Sequence, residues 1–311
     1  MNRATQARSL TELPPIGLAV VTMGVFDGVH LGHRAALDAT RAAAAERRAS
    51  SVALIFDPHP DEVLGHGIVV PRLAPAAVNL TRMAKLGIQH TVAIRFDEDL
   101  RALTAEDFLA ALRPAIELRG LVMGRHSSFG REQGGTVDAM TRLGATSDFE
   151  VVVVERVEVD GAVVSSTRIR EAIAVGDVAA AALLGAPAYL EGQVIEGDRR
   201  GRTLGFPTAN LRFAYQPAMP ALGIYAARVA RGGPPHQAAL VSIGTRPTFG
   251  ESGAVVAEVH LLDYDGDLYG TLLGVELVAR LRDELRFDDA AALVEQMHRD
   301  AAAARIVLET G

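Results

Sequence analysis

Three groups of residues in this 311-residue chain have the types and spacing to act on phosphates. The first is Gly201-Arg-Thr-Leu-Gly-Phe-Pro-Thr-Ala-Asn210. Gly201 and Gly205 let the backbone turn tightly and approach a ligand closely. Arg202 supplies a fixed cation with several donors. Thr208 and Asn210 offer two neutral oxygens on one side of an extended segment, suited to a hard cation such as Mg²⁺. An ordinary hairpin turn would use many of the same residues. The second group is Thr22-Met-Gly-Val-Phe-Asp-Gly-Val-His-Leu-Gly-His33. His30 and His33 are spaced to share one face of a helical turn. Gly32 between them lets a triphosphate approach the helix N-terminus, where amides and dipole favour anions. The imidazoles can then donate to phosphate oxygens as pyrophosphate leaves. A metal pair would need a third ligand, which is not evident, and two surface histidines are the plain alternative. The third group is Ser165-Ser166-Thr167-Arg168-Ile169-Arg170. Its hydroxyls can bind phosphate or simply cap a helix, and Arg170 can clamp a phosphoryl group.

Composition narrows the chemistry further. Cysteine is absent, which removes disulfides, thiolate nucleophiles and cysteine-ligated zinc. Lys85 is the only lysine; the rest of the 31 basic residues are arginine. No Gly-x-x-x-x-Gly-Lys loop exists, so a P-loop NTPase is excluded, and a Schiff-base lysine is unpromising. Nucleotide chemistry must therefore run on Arg, His, metal and backbone amides. The net charge of −7, with no long basic run, argues against a nucleic-acid partner. No apolar stretch is long enough to span a membrane. The N-terminal residues lack a signal-peptide apolar core, so a cytoplasmic location is expected.

The elements that must position these groups fall into two patterns, as the length allows. In the first half, apolar runs Leu18–Thr22, Ser51–Phe56, Thr91–Arg95, Leu121–Met123 and Val151–Val154 alternate with helical stretches near Arg34–Arg48 and Ala105–Ile116. Continuous apolar strands separated by helices predict a parallel sheet covered on both faces. A helix is expected at about Arg168–Leu184. Beyond it, Leu190–Ile195, Gly223–Val229, Ala239–Ile243, Ala257–Leu262 and Gly274–Leu281 follow one another with Gly, Pro and Asp-Gly turns. That pattern predicts an antiparallel barrel, closed by an amphipathic helix near Ala290–Leu308. The expected domains are residues 1–185 and 186–311.

The first decapeptide resembles the signature of riboflavin kinases, and the upstream half resembles the adenylyltransferase part of two-domain bacterial FAD synthetases. The resemblance runs from about Val20 to Arg305. It implies a Rossmann-like nucleotidylyltransferase domain followed by a six-stranded flavokinase barrel with a terminal helix. Gly223-Ile-Tyr-Ala226, Ile243-Gly-Thr-Arg-Pro-Thr-Phe249, Ala257–Gly270 and Leu281-Arg-Asp-Glu-Leu-Arg-Phe287 also resemble riboflavin kinase segments. By resemblance Glu258 is the base that takes the riboflavin hydroxyl proton, although a lone strand glutamate is ordinarily solvent-facing. Thr208 and Asn210 would hold Mg-ATP, with Gly201, Arg202 and Gly205 in the nucleotide loop. In the first half, Gly24, Phe26, Asp27, His30, Gly32, His33, Ser165, Ser166, Thr167 and Arg170 would serve the second ATP. Phe56-Asp-Pro-His-Pro60 resembles a border of the flavin pocket, so Pro58, His59, Pro60, His126, Phe129 and Arg282 are the expected flavin contacts. The implied reactions are ATP-dependent phosphorylation of riboflavin to FMN and adenylylation of FMN to FAD. Mg²⁺ and ATP are the implied cofactor and co-substrate, and the sequence is silent on oligomeric state.

Two segments depart from the pattern. The usual Gly-x-(Asn/Asp)-Phe-x-Phe-Gly reads Gly124-Arg-His-Ser-Ser-Phe-Gly130, with His126 and Ser127 as the changes. The usual Leu-Thr-x-x-x-x-Lys reads Leu73-Ala-Pro-Ala-Ala-Val-Asn79. A titratable imidazole in place of an amide or carboxylate alters hydrogen bonding and charge. The nearest rival reading is a riboflavin kinase whose first half is impaired or takes another nucleotide or flavin. A non-catalytic flavin-binding sensor is a rival from another class.

Overall fold

The computed structural model describes residues 3–7, 9–65, 68–197, 205–233, 236–245 and 255–310. Packing divides the chain into two compact units, Met1–Val70 with Pro75–Ser165, and Pro71–Ala74 with Ser166–Gly311.

In the first unit, strands β1 (Arg3–Ala7), β2 (Gly17–Gly24), β3 (Ser50–Asp57), β4 (His90–Arg95), β5 (Ile116–Gly124) and β6 (Glu150–Val154) form one parallel sheet. Its order is β1-β4-β3-β2-β5-β6. Helices α1 (Leu31–Glu46), α2 (Pro60–Leu64), α3 (Ala76–Lys85), α4 (Glu98–Ala102), α5 (Ala105–Leu112) and α6 (Val137–Ser147) connect them. A short hairpin, β7 (Glu158–Val159) and β8 (Ala162–Val163), follows. The sheet is buried on both faces, as its continuous apolar strands require. Ala19 and Val21 of β2 join one core with Phe108 and Leu112 of α5 and Met140 of α6. Val20 points the other way, onto Ala43 and Ala44 of α1. Strand order reverses between β2 and β5, so the loop leaving β2 stands where open α/β sheets bind ligands.

The second unit begins with α7 (Ser166–Ala174) and α8 (Val178–Leu183). The single helix expected over 168–184 is thus two. Gly176 takes φ +82, the Asp177 amide donates to the Ala172 carbonyl at 2.9 Å, and the Asp177 carboxylate caps α8 through the Ala180 amide at 2.9 Å. A left-handed glycine followed by a new cap ends one helix and starts another.

Strands β9 (Tyr189–Ile195), β10 (Ala209–Arg212), β11 (Gly223–Ala230), β12 (Gln237–Thr245), β13 (Val255–Leu261) and β14 (Leu272–Arg282) close a barrel in the order β10-β13-β12-β11-β14-β9. Every pairing is antiparallel. Tyr225, Ala227, Val241, Ile243 and Val259 are fully or almost fully buried. Their neighbours Ala226 and Leu240 are covered instead by Ala301 and Ala304 of the last helix, α9 (Ala290–Thr310).

One buried ion pair anchors that helix. Asp300 accepts from Arg282 Nε at 3.0 Å and Nη2 at 2.7 Å, and from Gln296 Nε2 at 2.8 Å. Removing one partner of a buried pair strands the other charge. Asp300→Ala is therefore expected to lower unfolding stability by roughly 3–5 kcal/mol in chemical denaturation of the barrel.

The all-parallel sheet and the six-stranded barrel agree with the expected architecture. The sheet has one strand more than expected, β1, at its edge beside β4. The stretch expected as a helix to Ile116 stops at Leu112, because Ile116 already opens β5. Among the described residues, no helix is long and apolar enough to cross a membrane.

Candidate active sites

In the barrel unit, strand register assembles the expected kinase residues. Glu258 of β13 pairs with Asn210 of β10 on one side and with Ser242 of β12 on the other. Side chains of directly paired residues lie on the same face of a sheet. Thr208, just before β10, donates from Oγ1 to Glu258 Oε2 at 3.3 Å. Asn210 is buried, and its carboxamide fills the space that a Cβ on Gly197 would need. The neighbouring loop is braced from two sides. The ring of Phe206 lies 5.1 Å from His260 and 4.9 Å, edge-on, from His298 of α9. His260 Nδ1 lies 2.8 Å from the Pro207 carbonyl. Thr208, Asn210, His260 and His298 line one cavity of about 980 Å³. Gly205, at φ +82, borders it, whereas Gly201 and Arg202 lie outside the described residues.

Arg282 stands at the end of β14, and its guanidinium is committed to Asp300 and to the Asp283 carbonyl at 2.8 Å. This clamp, and the bracing of Phe206 by His260 and His298, were not legible in the sequence. Each joins residues far apart in the chain with no shared motif.

In the sheet unit, the loop from β2 carries Phe26, Asp27 and His30, all buried, into α1. His30 is the N-cap of α1: its Nδ1 accepts the His33 amide at 3.3 Å. An accepting Nδ1 places the proton of neutral His30 on Nε2. The His30 and His33 rings stack with centroids 3.6 Å apart and planes 18° apart. A Cβ on Gly32 would come within 3.2 Å of the His30 ring and 3.6 Å of the Val164 carbonyl. The glycine thus allows the close approach of the imidazole, and Ser165 follows directly after Val164. Ser166 opens α7 in the other unit; Thr167 is exposed, and Arg170, one turn on, donates from Nε to the Pro71 carbonyl at 2.6 Å.

Burial, reinforced by the neighbouring His30 imidazole, holds His33 well below its ordinary pKa of 6.5. His33 Nδ1 is buried without a hydrogen-bond partner. As pH falls below about 6.5, the unfolded chain takes up a proton at His33 that the folded chain refuses. Stability is therefore full above that pH and declines below it. Thermal melting at pH 7.5 and 5.5 is expected to show a larger acid loss for the natural chain than for His33→Gln.

The remaining expected contacts surround the sheet. His59 caps α2, accepting the Asp61 amide through Nδ1 at 3.1 Å, between Pro58 and Pro60. Phe129 packs edge-on against Phe108, centroids 5.6 Å apart, which anchors its loop in the core. His126 is exposed in the turn after β5, beside the Arg125–Glu155 ion pair. The Arg125 hydrogen bond holds the Glu155 carboxyl below the usual carboxylate range, and the field of His126 adds a smaller effect in the same direction.

A family model described as riboflavin kinase matches residues 184–308, and one described as FAD synthetase matches residues 16–168. The bifunctional riboflavin kinase/FMN adenylyltransferase of Listeria monocytogenes is 35% identical over 283 residues, covering 90% of each chain. The chain belongs to this bifunctional family. The family's Pseudomonas fluorescens enzyme is 37% identical over 292 residues, covering 92% of each chain. The crystal structure of a macrolide-efflux protein from Streptococcus pneumoniae superposes with a TM-score of 0.85 at 30% identity. That match covers 97% of this chain and 98% of the other. Family membership covers both units, so neither the His30–His33 loop nor the Thr208–Glu258 cluster is an isolated motif.

Proposed function

We propose that the barrel unit phosphorylates riboflavin to FMN and the sheet unit adenylylates FMN to FAD. The observation that carries the kinase assignment is the Thr208–Glu258 contact at 3.3 Å, with Asn210 paired directly across from Glu258. Glu258 takes the proton of the riboflavin primary hydroxyl as that oxygen attacks the γ-phosphorus of ATP, and ADP leaves. Thr208 and Asn210 supply neutral oxygens of the kind Mg²⁺ accepts alongside substrate phosphates. Bound there with ATP, the ion would neutralise phosphate charge. Gly201, Arg202 and Gly205 serve that nucleotide.

In the second reaction the FMN phosphate attacks the α-phosphorus of another ATP, and pyrophosphate leaves. No enzyme nucleophile is required, in keeping with the absence of cysteine. His30, His33 and Arg170 stabilise the phosphate charge. Gly24, Phe26, Asp27, Gly32, Ser165, Ser166 and Thr167 hold the nucleotide. Pro58, His59, Pro60, His126 and Phe129 border the flavin of this unit. Arg282 borders the flavin of the other unit and, with its donors committed to Asp300, offers it a planar face. We place the functional boundary near residue 185, close to residue 184, where the riboflavin kinase model begins to match. We place the enzyme in the cytoplasm, acting on small molecules rather than nucleic acid, consistent with its net charge of −7.

A second reading is favoured by one observation, the exposed His126 where the family usually has Asn or Asp. It keeps the kinase and assigns the sheet unit a slower reaction or a different nucleotide. Chromatography of products from riboflavin, ATP and Mg²⁺ decides between them. FMN followed by FAD is the expected outcome. FMN accumulating alone in excess ATP would sink adenylyl transfer from ATP, and parallel runs with CTP and GTP would reveal a changed nucleotide.

A further inference from the structure

The loop from β2 to α1 holds an unfavourable backbone. Phe26, Gly28 and Val29 have φ of +50, +85 and +52. Residues with a Cβ rarely adopt such angles, and a β-branched valine least of all. Geometry of this kind persists only where the surroundings dictate it.

Helix α3 supplies those surroundings. Asn79, 3% exposed, accepts the Gly28 amide through Oδ1 at 3.2 Å. Arg82 donates from Nη1 to the Gly28 carbonyl at 3.3 Å. Residues three apart share a helix face, so two neighbours on α3 grip both polar groups of one loop residue. Gly28 lies two residues before His30, so its placement sets where α1 begins and where both imidazoles point.

Position 79 is one of the two departures from the family pattern. A lysine there has no acceptor and could not take the Gly28 amide, whereas asparagine does. We propose that Asn79 is a positioning residue for adenylyl transfer, acting through Gly28 on His30 and His33. The proposal rests on the adenylyltransferase reading of this unit.

The full-length natural chain, Asn79→Leu and Asn79→Asp are compared in three measurements. These are amide exchange at Gly28, FAD formation from FMN and ATP, and riboflavin phosphorylation as an internal control. In Asn79→Leu the Gly28 amide is expected to exchange about tenfold faster, the effect of losing one hydrogen bond. Its kcat for FAD formation should fall by about 10²-fold, as for a small misplacement of reacting groups, with KM for ATP much less affected. Asn79→Asp keeps an accepting oxygen and is expected to restore slow exchange and most of kcat. Kinase turnover should be the same in all three.

Unchanged Gly28 exchange in Asn79→Leu would overturn the clamp. Faster exchange with unchanged kcat would overturn its part in catalysis. Parallel loss of kinase turnover, or failure of Asn79→Asp to restore rate, would reduce Asn79 to a folding role. If the natural chain made no FAD while Gly28 responded as expected, the adenylyltransferase reading would fall, and the catalytic role with it, but the clamp would stand.

Discussion

Glu258→Gln is expected to lower kcat for riboflavin phosphorylation by about 10²–10⁴-fold, the usual worth of a general base. Glutamine nearly matches glutamate in shape and can still bond to Thr208 Oγ1, which lies 3.3 Å from the carboxylate. What it lacks is a basic oxygen for the substrate hydroxyl. The loss should thus fall on kcat, with KM for riboflavin and ATP little changed. Adenylylation of supplied FMN should proceed as before, because it draws on the other unit's loop. Steady-state assays of the two half-reactions on one preparation check both statements. Full kinase turnover in Glu258→Gln would remove Glu258 from the role of base.

The second large effect is expected at His30, where one side chain has two separable duties. It caps α1 by accepting the His33 amide at 3.3 Å, and its ring stacks on His33 at the proposed phosphate site. Asparagine is among the best N-caps, whereas alanine caps poorly, at a cost of about 1 kcal/mol. His30→Asn should therefore melt close to the natural chain, and His30→Ala clearly below it. Neither restores an imidazole donor to the phosphates, so both should lose about 10²–10³-fold in FAD formation. Riboflavin phosphorylation serves as the unchanged reference. If His30→Asn recovered the rate along with the melting temperature, capping would be the whole contribution of His30.

The readable parts of the molecule were those in which chemistry is local in sequence or repeats with the period of an element. Continuous apolar runs such as Ser51–Phe56 announce buried parallel strands, and five of the six barrel strands announce themselves as short runs set off by Gly, Pro and Asp-Gly turns. Thr208 and Asn210 could be named from one short segment and Glu258 from the family resemblance of its strand, and register then places Glu258 between Asn210 and Ser242. Strand β1 was missed because Arg3, Thr5 and Gln6 give it no apolar run; pairing with β4 makes it a strand. The helix expected over 168–184 divides because Gly176 takes a left-handed backbone and Asp177 caps a new helix. Asp300 reads as an unremarkable polar helix residue, and Asn79 stands out only as a departure from the family pattern. Their partners, Arg282 and Gly28, are distant in sequence, and only the folded chain reveals the pairings.

The closure of the barrel also sets an order of events during synthesis. Strand β9 has β10 as one neighbour, but its other neighbour is β14, the last strand to be made. Until Leu272–Arg282 leaves the ribosome, one edge of β9 has no partner, and α9 must still follow to cover Leu240. The parallel sheet has all six of its strands by Val154, and domains generally fold as units, N-terminal first, during synthesis. The part proposed to consume FMN therefore takes shape on the nascent chain before the part proposed to make it.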